Sequence, residues 1–500
     1  MSIKKNALAV ALVAGLGMAG TAGAYLLYTA GDKTPEKIAT ADITSASSVV
    51  TMTQEVQAIV EPGDFILGRT SGFNVRLSLL DGAKFAAGAF AGDANLAGDN
   101  LPAGWTVTIA AGGNAGDTFV VFNVQPPSVS PVPGIVPGEI VGIDGLKLTN
   151  LTNLQTAGNQ VRVQMNFIDP VGANSIGTDT SAVLESGNPV VLGCDATVGE
   201  TTKRIDVGQS PTHPSKTYFS STGEIGLLDS GSINLGSVKI TKDPAFGSFS
   251  YTGTDSFTST VSGNFGAFYA AGNDLFLSST SNCATPITTT ETYNAATNTA
   301  TFTYTGTQAG VTATGTTLFL CGTVAAGNTT VIDATAVSVR TAFTRTGTPV
   351  VTGNACSLLP LQYNGSVVRV YNVNPAGNST AQSFVRVINQ SNTAGRVTIV
   401  GIDDNGVKRG PISFNLGALK SMQVNSDDLE AGNAAKGLTG SLGDGAGKWR
   451  LFVTGEFAGM AVQSLNRNAT DGTVTNLTDA DSRGEQLIND TFEGYTPPTP

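Results

Sequence analysis

The stretch from Thr299 to Gly322, "TATFTYTGTQAGVTATGTTLFLCG", is rich in β-branched and aromatic residues and carries no charge. Its neighbours extend the uncharged run from Thr292 to Ile332. Residues of this kind favour strands. Strands without charge or proline tend to pair edge to edge with other molecules. The sequence therefore predicts strands that are either covered within the fold or used to contact neighbouring molecules.

Alternation of apolar and polar residues recurs along most of the chain, between turns rich in Gly, Asn, Asp and Pro. This is the period-two pattern of half-buried strands. Beyond the N-terminal segment, a helical turn is indicated only in "SDDLEAGNAAKG". The pattern predicts an all-β protein of tandem, immunoglobulin-like β-sandwich domains. Clear examples are "FNVRLSLLDG" (73–82), "WTVTIAAGG" (105–113), "DTFVVFNVQ" (117–125) and "VRVQMNFIDP" (161–170).

The phrase Val-Arg-Val occurs in three of the predicted strands, at Val161, Val368 and Val385. Because successive side chains of a strand point to opposite faces, the valines share one face and the arginine lies on the other. We therefore expect strands that pack through valine and expose arginine.

The N-terminus, "MSIKKNALAVALVAGLGMAGTAGAYLL", has two lysines, an apolar run and a final Ala-Gly-Ala. These features are typical of a cleaved secretory signal peptide, here residues 1–24. The mature chain is expected to begin near Tyr25, without a transmembrane segment or covalent anchor. The predicted location is outside the cell or on the surface of a Gram-negative bacterium.

Shifts in composition divide the remaining chain. Prolines in "QPPSVSPVPGIVPG" (125–138) predict an extended loop rather than a central strand. The predicted segments are an extended N-terminal arm (25–55), a first β-sandwich (56–190), a disulfide-containing β domain (191–360), a third β-sandwich (361–482) and a disordered tail (483–500). The arm has two alternatives: it adds a strand to a neighbouring molecule, or it pairs within its own chain.

The composition favours an extracellular protein. Charged residues make up 13%, against about 25% in ordinary soluble domains. The formal net charge is −11, and an acidic chain of this kind lacks the basic surface that binds nucleic acid. Sparse charge also lowers the cost of close packing between copies, so a homo-oligomer or lattice is the expected assembly.

Four cysteines lie in the central region: Cys194, Cys283, Cys321 and Cys356. In an exported chain, two disulfides are expected, because the compartment is oxidising and no pair has the spacing of a zinc site. Three pairings are open. The other interpretation is four separately buried thiols.

The sequence lacks a recognisable catalytic set. His213 is the single histidine, and it lies between prolines in a predicted loop. No nucleophile elbow, phosphate loop or dinucleotide fingerprint occurs. A glycosidase needs only two carboxylates, but aromatic sugar platforms are few, with Trp105 and Trp449 the only tryptophans. We expect no enzymatic activity and no catalytic residue.

Calcium is the one candidate cofactor, because oxygen-rich turns supply the hard ligands that it prefers. Three acidic turns are candidate sites, although such clusters are also ordinary turn sequences. The candidate ligands are Asp93, Asn95 and Asp99 in the first turn, Asp403 and Asp404 in the second, and Asp427, Asp428 and Glu430 in the third.

Residues 382–455 resemble a β module that recurs in large secreted bacterial proteins. The resemblance rests on the phrases "SFVRVIN", "IDDNG", "NSDDLEAGNAAKGLTG" and "WRLFVTG". The layout of the whole chain is similar to that of bacterial surface-layer proteins. It lacks the surface-layer homology repeats and glycine-aspartate nonapeptides with which some of them attach. The module implies no enzymatic role.

Two hypotheses follow. In the first, the chain is a non-enzymatic structural protein that self-assembles into a surface layer or extracellular matrix. In the second, it is a secreted adhesin or glycan-binding protein with a localised pocket. A cell-surface polysaccharide is a candidate partner. A secreted hydrolase is the third and least supported alternative.

Overall fold

The computed structural model describes residues 26–29, 34–60, 66–90, 96–171, 174–209, 212–478 and 485–486. The predicted signal peptide lies outside the described residues, as does all of the predicted tail except 485–486.

Strands dominate the described residues, which confirms the all-β prediction. The α-helices in this part of the chain are α1 (Gly306–Ala309) and α2 (Ser426–Ala431), the second of which lies where the sequence indicates a helical turn. Short 3-10 helices span Thr40–Asp42, Thr152–Gln155, Gly266–Tyr269 and Ala434–Lys436.

The chain forms two compact units. Unit 1 comprises the described residues of Met1–Val190, Lys242–Ser250 and Thr344–Val351. Unit 2 comprises those of Val191–Thr241, Tyr251–Phe343 and Thr352–Pro500. The boundaries of the predicted domains stay predictions.

The strands of unit 1 form a six-stranded sheet in the order β2-β12-β11-β5-β8-β7 and two three-stranded sheets, β1-β4-β9 and β3-β10-β6. The strands are β1 (Leu26–Thr29), β2 (Glu36–Ala39), β3 (Val50–Thr51), β4 (Val56–Val60), β5 (Phe73–Leu79), β6 (Lys84–Phe85), β7 (Thr106–Gly112), β8 (Phe119–Gln125), β9 (Gly138–Ile143), β10 (Lys147–Thr149), β11 (Gln160–Ile168) and β12 (Ser175–Gly187).

Alternation decides which face of each strand is buried in unit 1. In β5, Phe73, Val75 and Leu77 are fully buried. Val75 lies opposite Phe122 of β8 and Phe167 of β11, so the apolar faces of three adjacent strands coincide. These faces form part of one hydrophobic core. The proline-rich segment between β8 and β9 contains no strand, as predicted.

The described part of the predicted N-terminal arm pairs within its own chain. Strand β1 lies antiparallel to β4, and β2 lies parallel to β12. Glu36 of β2 also accepts hydrogen bonds from the backbone N–H groups of Thr53 and Gln54, at 2.8 and 3.2 Å. Of the two alternatives for the arm, the structure shows pairing within the chain.

Unit 2 contains a four-stranded sheet, β13-β17-β22-β19, a three-stranded sheet, β14-β15-β16, and a sheet in the order β20-β21-β18-β23-β24 with β25 beside β23. The strands of these sheets are β13 (Val190–Asp195), β14 (Arg204–Ile205), β15 (Phe219–Ser220), β16 (Leu228–Asp229), β17 (Ser232–Lys242), β18 (Ser256–Ser262), β19 (Asp274–Ser278), β20 (Thr290–Asn294), β21 (Thr299–Thr305), β22 (Gly315–Thr323), β23 (Ser338–Thr344), β24 (Val351–Thr352) and β25 (Cys356–Ser357).

The C-terminal part of unit 2 is a β-sandwich. A five-stranded sheet, β29-β28-β31-β26-β34, and a four-stranded sheet, β30-β27-β32-β33, share one core. Its strands are β26 (Ser366–Val373), β27 (Ala381–Asn389), β28 (Gly395–Ile402), β29 (Lys408–Leu416), β30 (Ser421–Asn425), β31 (Trp449–Gly455), β32 (Met460–Asn468), β33 (Val474–Asn476) and β34 (Glu485–Gln486).

The Val-Arg-Val strands pack as predicted. Val385 and Val387 of β27 are fully buried, while Arg386 between them is exposed. Arg369 of β26 and Arg162 of β11 are exposed in the same way. The cores of both units therefore form through the valine faces.

The uncharged strands are covered along their backbones. Strand β21 lies between β20 and β18, and β22 lies between β17 and β19. Their hydrogen-bonding edges are thus used within the chain, which is the first of the two alternatives raised by the sequence. Only one side-chain face of β21 is left for other contacts.

The four cysteines form two disulfides, both within unit 2. Cys194 of β13 pairs with Cys356 of β25, with Cα atoms 6.2 Å apart. Cys283 pairs with Cys321 of β22, with Cα atoms 5.9 Å apart. The second bridge lies among Phe276 and Phe319 in a small apolar cluster. Two disulfides were predicted, and the structure supplies the pairing.

Candidate functional site

The first candidate calcium turn is described only in part, because Asp93 and Asn95 lie outside the described residues. Asp99 lies near Glu139 of β9, and its negative charge is one of the causes that raise the pKa of Glu139. Its neighbour Asn100 accepts a hydrogen bond from the backbone N–H of Glu139 at 3.2 Å.

The second candidate turn is held by backbone donors. Asp403 accepts hydrogen bonds from the N–H groups of Asn405 and Val407 at 3.0 and 2.9 Å. These bonds, led by that from Val407, keep the pKa of Asp403 below its usual range. Asp404 accepts a hydrogen bond from the N–H of Lys448 at 2.8 Å. The carboxylates stabilise the turn itself.

The third candidate group caps helix α2. The Asn425 side chain accepts a hydrogen bond from the Asp428 N–H at 2.8 Å, and Asp428 accepts one from the Asn425 N–H at 2.9 Å, which is a capping box. Glu430 accepts a hydrogen bond from the Trp449 indole at 2.8 Å, and Asp427 accepts one from Gln382 at 2.7 Å. Each carboxylate therefore has a protein donor.

No group of three or more His, Cys, Asp or Glu side chains in the described ranges is placed to hold a metal ion. The calcium sites stay predictions. His213 shares a hydrogen bond of 2.8 Å with Thr212 and packs against the edge of Tyr218.

A pair of carboxyl groups that the sequence did not single out lies on unit 1. The Gln57 amide of β4 donates to Glu55 at 2.7 Å and to Glu139 at 2.6 Å. Gly142 lies opposite Gln57 in the register, and a Cβ atom there would collide with both carboxyl groups. Burial first, and then the charges of Glu55 and Asp99, raise the pKa of Glu139 to about 7.

A cleft with a volume of about 640 Å³ lies on unit 2. We call it the Lys216 cleft. It is lined by residues from the disulfide-bearing part and from the C-terminal sandwich, which are Lys216, Asn264, Asn298, Asp333, Ala334, Thr335, Tyr363, Ala394, Gly395, Arg396, Asn415 and Glu456.

An ion pair lies at the base of the Lys216 cleft. The Lys216 ammonium is 3.3 Å from Glu456 Oε2 and 4.2 Å from the centroid of the Tyr363 ring. Burial raises the pKa of the Glu456 carboxyl above its usual range, while Lys216 and Arg396 act in the opposite direction. The backbone N–H of Lys216 donates to Asp206 at 2.7 Å, so the loop that carries the lysine is fixed.

Amide side chains line the mouth of the cleft. The Asn264 side-chain amide donates to Asp333 at 2.9 Å, and its backbone N–H donates to the Thr335 hydroxyl at 3.1 Å. Asn415 of β29 lies opposite Arg396 of β28, is exposed and makes no side-chain hydrogen bond to any described residue. The mouth therefore contains one amide that is held by a hydrogen bond, Asn264, and one that is available to bind a ligand, Asn415.

Two stacked tyrosines lie beside Asn298, which is one of the residues that line the cleft. The rings of Tyr269 and Tyr293 are 4.5 Å apart and nearly parallel, at 9°. The Tyr293 hydroxyl donates to Asn298 of the cleft at 3.5 Å, and Tyr269 donates to Glu291. Burial, followed by the hydrogen bond to Glu291, raises the pKa of Tyr269, so the phenol stays neutral.

A second feature of unit 2 is a hydroxyl-rich surface on strands β20, β21 and β18, which we call the threonine face. Its rows follow the register: Thr290, Thr303 and Thr258 lie side by side, as do Thr292, Thr301 and Thr260. The opposite face of the same strands is apolar at Phe257, Phe302 and Tyr304. The threonine face comprises Ser256, Thr258, Thr260, Ser262, Thr290, Thr292, Asn294, Thr299, Thr301, Thr303 and Thr305.

The sequence carries no signal for the Lys216 cleft. Lys216 and Glu456 are 240 positions apart, and neither lies in a recognisable motif. The tryptophans considered as sugar platforms are instead buried, and the Trp105 indole donates to Pro133 O at 2.8 Å. The threonine face, in contrast, was signalled by the uncharged run.

No protein-family model matches the chain, and no curated protein matches it. The solved structures similar to it include the C-terminal domain of the Streptococcus agalactiae AgI/II polypeptide BspA, at 9% identity over 67% of this chain and 99% of that chain, with a TM-score of 0.22.

Two further solved structures are similar at the same level. The C-terminal domain of Streptococcus pyogenes AspA has 11% identity over 67% of this chain and 99% of that chain, with a TM-score of 0.24. BcpA, the major pilin subunit of Bacillus cereus, has 10% identity over 74% of this chain and 91% of that chain, with a TM-score of 0.21. Scores of this size do not indicate a shared overall arrangement.

Within the described ranges, none of the helices has the length and apolar character needed to cross a lipid bilayer.

Proposed function

We propose that the chain is an exported, non-enzymatic structural protein of the bacterial cell surface whose copies pack laterally through the threonine face. The observation that carries the proposal is the absence of charge from every outward position of β20, β21 and β18. With a net charge of −11, copies of the chain repel one another at long range. A neutral face allows close contact without burying an ionic group.

Hydroxyl groups make such a face complementary to itself. Each threonine both donates and accepts hydrogen bonds. When two copies are related by a two-fold axis, the hydroxyl groups of one threonine face can form hydrogen bonds with those of the other, as in other symmetric interfaces.

Contact through faces is also favoured over pairing of strand edges. Strand β20 ends its sheet, and the Glu291 side chain on it is half-buried on the opposite side from the threonine face. Inward-pointing charged residues on a terminal strand oppose the addition of another strand.

The proposal is tested with the mature, oxidised protein, by sedimentation velocity and negative-stain microscopy, with calcium and with a chelator. We expect large ordered assemblies of the wild type. Thr303→Lys places a charge in an exposed position of the threonine face and should give monomers. The matched control Thr180→Lys, at an exposed threonine of β12, should assemble like the wild type.

Two results would overturn the proposal. One is a wild-type protein that stays monomeric even with calcium. The other is a Thr303→Lys variant that assembles as well as Thr180→Lys.

A further inference from the structure

We infer that the Lys216 cleft binds a neutral oligosaccharide. The inference goes beyond lateral assembly and does not depend on it. It rests on the size of the cleft, the balance of its charges, its amide groups and the stacked tyrosines next to Asn298.

The charges of the cleft balance. Lys216 and Arg396 are positive, while Asp333 and Glu456 are negative. Lys216 pairs with Glu456 inside the cleft, so no unpaired charge of one sign dominates its base. A strongly anionic or cationic ligand would meet like charge as well as opposite charge, which disfavours it.

The polar groups match sugar hydroxyls. A hydroxyl both donates and accepts, and an asparagine amide offers both partners. The Asn415 side chain makes no hydrogen bond to a described residue, and Asn264 is held in place by Asp333. Groups that are fixed before binding cost less conformational entropy when a ligand arrives.

The tyrosine pair supplies an aromatic surface beside the amide of Asn298. Tyr269 remains 38% exposed although it stacks on Tyr293. Sugar rings combine apolar faces with polar edges, so an aromatic surface next to amides suits them. The cleft lining contains no aliphatic side chain larger than alanine, and an apolar peptide side chain would find no pocket there.

The test is isothermal titration of the full mature chain with neutral hexasaccharides of glucose, mannose and N-acetylglucosamine, with hexagalacturonate as the charged comparison. We expect saturable binding of at least one neutral hexasaccharide. Asn415→Ala and Tyr293→Ala should each weaken it about tenfold. Tyr293→Phe, which keeps the ring, should weaken it less.

The matched control is Asn405→Ala, at an exposed turn residue outside the cleft, which should bind like the wild type. Thermal melting establishes that each variant is folded. Titration of the Thr303→Lys variant separates oligosaccharide binding from lateral assembly. If this monomeric variant still binds the hexasaccharide, the Lys216 cleft binds sugar independently of assembly. The inference is overturned if no neutral hexasaccharide binds, if only hexagalacturonate binds, or if Asn405→Ala weakens binding as much as Asn415→Ala.

Discussion

Glu139 and Glu55 share the Gln57 amide at the surface of unit 1. Partial burial and the nearby carboxyl groups favour the protonated form of Glu139 in the folded state. The pair therefore links the stability of the unit to pH, although no catalytic role follows from it.

The pKa of Glu139 is about 7 in the folded protein, against a usual value of 4.5. The folded state thus holds a proton that the unfolded chain releases first. Its stabilisation is complete below pH 4.5 and is lost as the pH rises through 7. We expect unit 1 to melt at a lower temperature at about pH 8 than at about pH 5.

Glu139→Gln should remove part of this pH dependence and stabilise the protein at about pH 8. The expected gain is only about 1 kcal/mol, because solvent screens the exposed part of the carboxyl group. The charged groups that face Glu139 are Glu55, Asp99 and Asp144, and these stay in the variant. The control is Glu224→Gln, an exposed residue of unit 2. An unchanged pH profile for Glu139→Gln would contradict the assignment.

Lys216 compensates a buried carboxylate, since the side chains of Lys216 and Glu456 are only 17% and 13% exposed. Lys216→Met leaves Glu456 without its partner and should lower the free energy of unfolding by about 3 kcal/mol. The double variant Lys216→Met with Glu456→Gln should recover much of the loss.

The measurement is urea denaturation, followed by tyrosine and tryptophan fluorescence. Lys408→Met, at an exposed position of β29, is the control and should change stability by less than about 0.5 kcal/mol. Equal effects of Lys216→Met and Lys408→Met would show that the ion pair contributes nothing.

At the scale of elements, the disulfides hold together strands that are distant in the sequence. Cys194–Cys356 closes a loop with a separation of 162 residues, and Cys283–Cys321 one of 38. A disulfide reduces the conformational entropy of the unfolded chain, and the reduction grows with the logarithm of the length of the loop that it closes. The bridge that closes the longer loop is therefore expected to stabilise the fold more.

We expect Cys194→Ala with Cys356→Ala to lower the free energy of unfolding of unit 2 by about 5 kcal/mol, and Cys283→Ala with Cys321→Ala by about 4 kcal/mol. Equilibrium denaturation of both double variants, next to the oxidised wild type, measures the losses. Losses below about 1 kcal/mol for both would refute the stabilising role of the bridges.

The threonine face follows from the alternation of buried and exposed side chains along its strands. The alternation in β21 buries Ala300, Phe302 and Tyr304 and turns the intervening threonines outward. The sequence predicts this alternation, because each side chain's face depends only on the local period of two. The rows across β20, β21 and β18 depend on the strand register, which the sequence did not specify.

At the scale of the whole molecule, net charge opposes assembly while the threonine face permits it. The screening length falls from about 30 Å at about 10 mM salt to about 8 Å at about 150 mM. Repulsion between acidic copies is therefore weaker at the higher salt concentration. We expect assembly, followed by light scattering, to be faster at about 150 mM than at about 10 mM sodium chloride.

The Thr303→Lys variant is the control for this measurement and should stay monomeric at both salt concentrations. Faster assembly of the wild type at low salt would indicate that opposite charges drive the contact. That outcome would contradict packing through a neutral face.

The order of residues along each strand is enough to predict the strand class, the buried valine faces, the exposed arginines and the uncharged outer positions of β21. Each follows from local alternation, which is a property of a few neighbouring residues. The cysteine pairing, the placement of the arm along β12 and the approach of Lys216 to Glu456 depend on the three-dimensional fold. These features join residues far apart in the chain, and their distances depend on how whole sheets pack.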